Sequence, residues 1–347
     1  MKQLSLLTIM AFMALQSLAE NKQKLDEVVI RGQQKFVYTY NETGKCTSKA
    51  EYKWDEAKSD WSISDKTSYT FPEAGKKILV KQEKEGEKLV KTYKSKAIYN
   101  NQGEKTETKS YRWNPESNTW ENYHHKFIHY SDNGKITQRI DKIWDKEIQQ
   151  YKNSIRERFT YQPQEKKKTK YIDNWNTEAK SWQPSQKTIY QYRQDDQLAK
   201  KVSQYVVSFG EKKGEWMGRS KVTYTYDQQG NPMEEIHYRM NFSKEKWELS
   251  RKKVHQYNKA GLAEKLIIYN AEEDGKWKAF RKSHFTYNQG NNSNQLVLPF
   301  NEEDGEGNPF QVSLEQAPVK TVEMQARDYD TGEWKNRGKM EFKWSSL

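Results

Sequence analysis

The chain has 347 residues, with 60 Lys and Arg against 48 Asp and Glu for a formal net charge of +12, and only 33% of it is hydrophobic. That balance excludes a polytopic membrane protein, which needs repeated apolar runs of about 20 residues. Aromatic residues make up 13% of the chain, so its apolar share is rich in rings and poor in Ala, Val, Ile and Leu; so much charge with so few aliphatics is also a signature of disorder, unless a repeat supplies order.

Met1-Lys2, the apolar run from Leu4 to Leu15 and the small residues Ser17-Leu18-Ala19 read as a secretory signal peptide cleaved after Ala19. No second long apolar run follows, so the mature chain is expected to lack a transmembrane segment and to be exported to the periplasm, cell surface or medium. Leu25-Asp26-Glu27-Val28-Val29-Ile30 is the most aliphatic patch of the mature chain and reads as an opening or capping strand. It is similar to the short stretch near the start of many TonB-dependent outer-membrane receptors, but no barrel is expected to follow it. Cys46 is the single cysteine, so no intrachain disulfide can form; alternating with Ser48, Ala50, Tyr52 and Trp54, it reads as a small buried strand residue.

From Tyr40 onward one motif recurs about every 31 residues, at Tyr40, Phe71, Tyr99, Tyr130, Tyr161, Tyr192, Tyr226, Tyr257 and Tyr287. An Asx and a Gly three residues later follow many of these rings, as in Asn41 to Gly44, Asn100 to Gly103, Asp227 to Gly230 and Asn258 to Gly261. Asx bonds its own backbone and Gly accepts positive φ, so these are tight hairpin turns. A second landmark is an aromatic-Asx pair with another aromatic seven positions after the first: Trp54-Asp55 with Trp61, Trp113-Asn114 with Trp120, Trp144-Asp145 with Tyr151, and Trp175-Asn176 with Trp182. Such a pair suits a longer loop closed by facing rings. Between landmarks the residues alternate with period two, which predicts strands with one buried and one wet face.

The array falters after Gly290, where residues 291–309 read as a linker or irregular cap, and 310–347 resume the alternation as a C-terminal β cap. The expected fold class is therefore all-β: residues 20–290 form an elongated antiparallel meander of about nine two-strand repeats, coiled or stacked in series. Tyr224-Thr225-Tyr226-Asp227-Gln228-Gln229-Gly230-Asn231 resembles a YD (RHS-type) repeat unit. The whole layout resembles secreted repeat proteins of unknown function from host-associated Gram-negative bacteria. The YD resemblance implies β-rich tandem units, and in large relatives these wind into a shell around a toxin domain.

Chemistry is sparse in this text. His124, His125, His129, His237, His255 and His284 show no metal-ligand spacing, although His125, Phe127 and His129 share a strand face. No nucleophile motif, Gly-rich phosphate loop or cofactor signature is present. Glu234-Glu235 and Glu302-Glu303 are neighbours in sequence, and on a strand they would point to opposite faces and could not flank one bond. No catalytic residue, cofactor or metal is expected, and the protein reads as a non-enzyme. The functional signal is instead a basic, ring-bearing sheet, with Lys53, Lys126, Lys166, Lys167, Lys168, Lys252 and Lys253 as candidate polyanion contacts. Export points to anionic polysaccharide or lipopolysaccharide as partner and away from nucleic acid; the alternative is a structural spacer or envelope-assembly protein with no specific ligand.

Overall fold

The computed structural model describes residues 23–208, 210–288, 296–297 and 317–346. The signal-peptide segment, Glu302-Glu303 and nearly all of 291–309 lie outside the described residues. The strands in chain order are β1 (Gln23–Ile30), β2 (Gln34–Tyr40), β3 (Cys46–Asp55), β4 (Asp60–Thr70), β5 (Lys76–Glu85), β6 (Lys88–Tyr99) and β7 (Lys105–Asn114). Next come β8 (Thr119–Tyr130), β9 (Ile136–Asp145), β10 (Gln150–Gln162), β11 (Lys167–Asn176), β12 (Ser181–Tyr192), β13 (Leu198–Val206) and β14 (Trp216–Tyr226). The last are β15 (Pro232–Asn241), β16 (Lys246–Tyr257), β17 (Ala263–Ala271), β18 (Trp277–Tyr287), β19 (Leu296–Val297), β20 (Val319–Arg327) and β21 (Trp334–Ser346).

Each strand from β1 to β17 pairs antiparallel with the next, β18 pairs with β20, β20 with β21, and β21 returns to β1 through Val28↔Phe342 and Val29↔Glu341. The result is a closed 20-strand barrel, with the short β19 parallel to the first residues of β1. This corrects the expectation of an open elongated array and of no barrel after the N-terminal strand. An open meander leaves two strand edges with unpaired backbone groups, and closure removes both. At about 4.8 Å per strand and a tilt near 40°, a circular barrel of this size has a radius of about 20 Å. The described strands pack extensively only on their sheet neighbours, so the wall is one layer thick.

A cavity of about 640 Å³ runs over one face from β5 to β10, along Lys77, Ser95, Thr108, His124, Asp141 and Glu157. A hollow spanning six adjacent strands forms on a concave side, so this face lines the lumen. The main apolar cluster lies on the same face toward the tight-turn rim: Leu25, Val28, Phe36, Tyr38, Phe285, Val319, Val322 and Phe342 are buried there. The expected split into one dry and one wet face does not hold. Lys, Arg, Asp and Glu alternate with rings on both faces, and most wall residues are half-buried.

Two recurring bulges set the geometry, the one near the tight turn being absent from the β4–β5 and β10–β11 pairs. Near the tight turns the odd strand carries an extra residue: Thr47 opposite Tyr40, Thr106 opposite Tyr99, Thr137 opposite Tyr130, Met233 opposite Tyr226 and Glu264 opposite Tyr257. A bulge leaves the ladder locally disrupted. The tyrosine of the following unit answers that disruption by donating its hydroxyl to the carbonyl beside the bulge: Tyr130 to Lys105 (3.0 Å), Tyr161 to Ile136 (3.0 Å), Tyr226 to Leu198 (2.9 Å), Tyr257 to Pro232 (2.8 Å) and Tyr287 to Ala263 (2.6 Å). Trp344 takes the tyrosine's place in the last unit, donating Nε1–H to Val319 O at 2.9 Å, and Tyr40 donates to Leu25 O at 2.6 Å across the closure. The β21–β1 joint even repeats the bulge, with Asp26 as the extra residue. Closure is thus one more repeat junction.

The turns explain why these landmarks recur. Asn41 Oδ1 accepts from the Thr43 and Lys45 amides, and Gly44 at φ +76° donates to Asn41 O at 2.9 Å. Gly103 and Gly230 close the same turn onto Asn100 and Asp227, and Gly261 onto Asn258. At the opposite rim Asp55, Asn114 and Asp145 accept from amides two and three residues on. The facing rings meet edge to face at 5.4 Å for Trp54 and Trp61, 5.0 Å for Trp113 and Trp120, 4.9 Å for Trp144 and Tyr151, and 5.1 Å for Trp175 and Trp182.

Candidate polyanion interface

The second bulge of each unit lies in the even strand, at Ser64, Thr92, Tyr123, Ser154, Ser185, Arg219, Ser250 and Phe280, and at Arg337 in β21. Two residues after each stands a basic side chain on the outer face: Lys66, Lys94, His125, Arg156, Lys187, Lys221, Lys252, Lys282 and Lys339. Lys35 of β2 completes the set, opposite Tyr52 as Lys94 is opposite Tyr111. Because the bulge fixes the position along each strand, the ten form a belt around the barrel at one height.

Rings of the next unit seat most of the belt. Lys35 lies 5.0 Å from the centroid of Tyr52 and 4.8 Å from Trp61, Lys94 lies 4.8 Å from Tyr111 and 4.6 Å from Trp120, and Lys221 lies 3.9 Å from Tyr238. Arg156 covers Trp182 at 4.9 Å, Lys187 covers Trp216 at 4.5 Å, Lys252 covers Tyr269 and Trp277, and Lys282 covers Trp334 at 4.3 Å. Each such contact contributes about 0.5–1 kcal/mol when exposed and up to about 2 kcal/mol when desolvated. The rings therefore hold cations on the outside of a thin wall at small cost. Burial, then the like charges Lys96 and Lys91, push the Lys94 ammonium below its usual range.

Asp173 is almost fully buried and accepts from Arg156 Nε at 2.9 Å and from Arg158 at 2.7 and 3.1 Å. Burial raises its carboxyl, but the two guanidiniums outweigh burial and hold it below the usual carboxylate range.

The lysines singled out from sequence are not brought together. Lys53, Lys126, Lys168 and Lys253 face the lumen on β3, β8, β11 and β16, whereas Lys252 faces outward. Lys166 sits in the loop before β11, bonded to Asp196, and Lys167 pairs with Glu165. Lys126 pairs with Asp141 at 3.7 Å, Lys252 with Glu234 at 3.7 Å and Lys253 with Glu235 at 3.3 Å. Lys168 lies among the rings of Phe159, Tyr161 and Tyr190, and burial lowers its pKa. Of the seven only Lys252 belongs to the belt. The belt's signal was present as basic residues repeating about every 31 positions, in phase with the tyrosines.

The lumenal cavity holds titratable groups already matched to one another. Asp141 takes His124 at 3.1 Å and Lys126, while Glu157 takes Arg139 at 3.3 Å and Lys170. Glu234 and Glu235 point to opposite faces. Among the described residues no group of three or more His, Cys, Asp or Glu could hold a metal ion, and no helix is long and apolar enough to cross a membrane. Cys46 lies on a strand as expected, but it is half-buried and not buried, because it sits at the rim end of β3 beside the bulge at Thr47.

No family model matches the chain, and no curated protein matches it; the likeness to YD units rests on the turn motif alone. Among solved structures the chain is similar to a porin-like protein from Bacteroides uniformis, at 10% identity over 94% of this chain and 98% of that one with a TM-score of 0.34. A Lactobacillus plantarum protein matches at 10% identity over 92% and 99%, with a TM-score of 0.31. A Bacteroides fragilis protein of unknown function matches at 18% identity over 37% of this chain and 91% of its own, with a TM-score of 0.32. Likenesses this distant identify no activity. The class is defined by the structure itself: a closed antiparallel β-barrel built from tandem hairpins and belted by basic residues.

Proposed function

We propose that the barrel is an exported, non-enzymatic binding module that takes anionic glycans or envelope polymers, such as lipopolysaccharide, on its basic belt. The observation that carries this reading is the belt: one basic side chain per hairpin at one height, nine of the ten Lys or Arg, facing outward, in a chain whose net charge is +12. A ring of like charges attracts polyanions by long-range field and by counterion release. The same belt argues against insertion in lipid, because each Lys or Arg on a barrel's lipid face costs about 2–4 kcal/mol at the midplane. The carboxylates of the lumenal cavity are each held by two basic partners, Asp141 by His124 and Lys126 and Glu157 by Arg139 and Lys170, which supports a role without acid–base chemistry there.

The test is retention of the mature chain on heparin and lipopolysaccharide resins across a salt gradient. Binding that falls steeply with salt supports the proposal, and no retention at low salt removes it. A spacer role with no ligand is the second reading, favoured by the seating of belt cations on rings; under it, Lys221→Gln with Lys252→Gln lowers stability and there is no retention to lose.

A further inference from the structure

The belt is uneven at one place. The residues directly opposite the other belt cations are apolar, aromatic, amide-bearing or acidic: Val29 and Tyr52 for Lys35, Ala50 and Gln82 for Lys66, Val80 and Tyr111 for Lys94, Val202 and Tyr238 for Lys221. Arg156 has Ile140 and Asp173, and Lys339 has Glu323 on one side and, at the turn after β1, Arg31, whose amide donates to the Lys339 carbonyl at 2.8 Å. His125 alone stands between two lysines, Lys109 on β7 and Lys142 on β9, and Lys109 in turn opposes Lys96 on β6. Four basic side chains thus run in one line across four strands. Like charges directly opposite destabilise a sheet, so folding alone gives no reason for this line. It is also the place where the belt carries a histidine instead of a permanent cation.

We propose that His125, flanked by Lys96, Lys109 and Lys142, is a pH-gated site for the sulfate or phosphate oxyanions of the polymer. The inference rests on the polyanion reading of the belt. The groups facing the imidazole are few. From β7, Glu107 Oε1 lies 2.8 Å from Nε2 and also 3.7 Å from the Lys109 ammonium. Lys142 faces it from β9, Phe127 packs at 4.1 Å on its own strand, and the ring of Tyr151 from β10 closes over it at 5.2 Å. His124 and Asp141 form a separate pair on the lumenal face. Among the described residues no carboxylate is within ion-pair distance of Lys96 or Lys142, so the line carries more positive charge than Glu107 balances.

Burial, opposed by Glu107 and reinforced by Lys109 and Lys142, holds the imidazole below its ordinary pKa, so the empty site keeps it neutral near pH 7. An oxyanion seated between Lys109 and Lys142 reverses the local field. The ring then takes one proton from solvent and donates to the anion. Affinity therefore rises as pH falls, each bound group at this site drawing up to one proton.

The experiment is isothermal titration of the mature chain with heparin, carrying sulfate, and with lipopolysaccharide, carrying phosphate, at pH 5.5 and 7.5 in buffers of different ionisation enthalpy. The variants are His125→Gln, Glu107→Gln and the distant Lys221→Gln/Lys252→Gln pair, each checked for native circular dichroism. The wild type is expected to bind several-fold more tightly at pH 5.5 with proton uptake. His125→Gln loses both the uptake and the pH dependence, Glu107→Gln binds more tightly at pH 7.5, and the distant pair weakens binding equally at both pH values while keeping the uptake. The arm that binds more tightly names the anion. Proton uptake that persists in His125→Gln, or wild-type binding that ignores pH, overturns the site while leaving the belt standing; no binding by the wild type to either polymer at either pH overturns both.

Discussion

Tyr287→Phe tests the strut that ties most hairpins to the one before. The substitution removes one hydroxyl and keeps the ring, which packs against the apolar cluster that includes Phe285 and Val319. The lost bond is short, 2.6 Å to Ala263 O, and its acceptor residue is buried. Leaving a buried carbonyl unpaired costs about 1–3 kcal/mol, whereas an exposed one would cost close to nothing. For a protein of this length that is a fall in melting temperature of a few degrees, with an unchanged urea m-value because the surface exposed on unfolding is the same. Phe71 supplies the reverse test: it stands at the tyrosine position without a hydroxyl, and Phe71→Tyr is expected to gain up to about 1 kcal/mol by reaching the carbonyl of Cys46, the residue opposite Tyr40. The assay is urea unfolding followed by tryptophan fluorescence. Tyr287→Phe as stable as wild type within about 0.3 kcal/mol would refute the strut, since a neutral exchange requires water to replace the phenol freely.

Burial, chiefly, pushes the Tyr257 and Tyr287 phenols up to about 12. A raised phenol stabilises the fold fully below pH 10 and loses that contribution as pH climbs toward 12, so alkaline unfolding and tyrosinate absorbance at 295 nm should rise together in that window. Asp173 is depressed by its arginines, so its contribution is present above about pH 4 and disappears as pH falls below it; Asp173→Ala leaves two guanidiniums without their acceptor and should cost about 3 kcal/mol in urea unfolding at pH 7. Gly218→Ala places a Cβ 2.8 Å from Met240 Cε and Trp247 Cζ2, an overpacking worth about 1–3 kcal/mol by thermal melting.

Much of the repeat was legible because its landmarks are local. Asn41 to Gly44 and Trp54 to Trp61 each make a turn or ring pair within ten residues, and the chemistry of those residue types dictates the backbone there. Closure was hidden because it joins β1 to β21 across nearly the whole chain, and because Trp344 stands in for the tyrosine at that joint. Asp26 as bulge and Leu25 as acceptor resemble nothing in the text unless the junction is already known. The belt was missed for a different reason. Local alternation places Lys53 and Lys126 on a strand as readily as Lys66 and Lys94, and only the second bulge decides which of them share a face and a height.

The claim on which the rest depends is that β1 and β21 are neighbours. In a Cys46→Ser background, Val29→Cys and Glu341→Cys stand directly opposite each other, at the Cα separation of roughly 4.5–5.5 Å that a disulfide spans without strain. Mild oxidation should give a monomeric, intrachain-bonded product whose mobility changes on reduction. Free thiols or bonds only between molecules would mean that the two ends lie apart and that the barrel does not close.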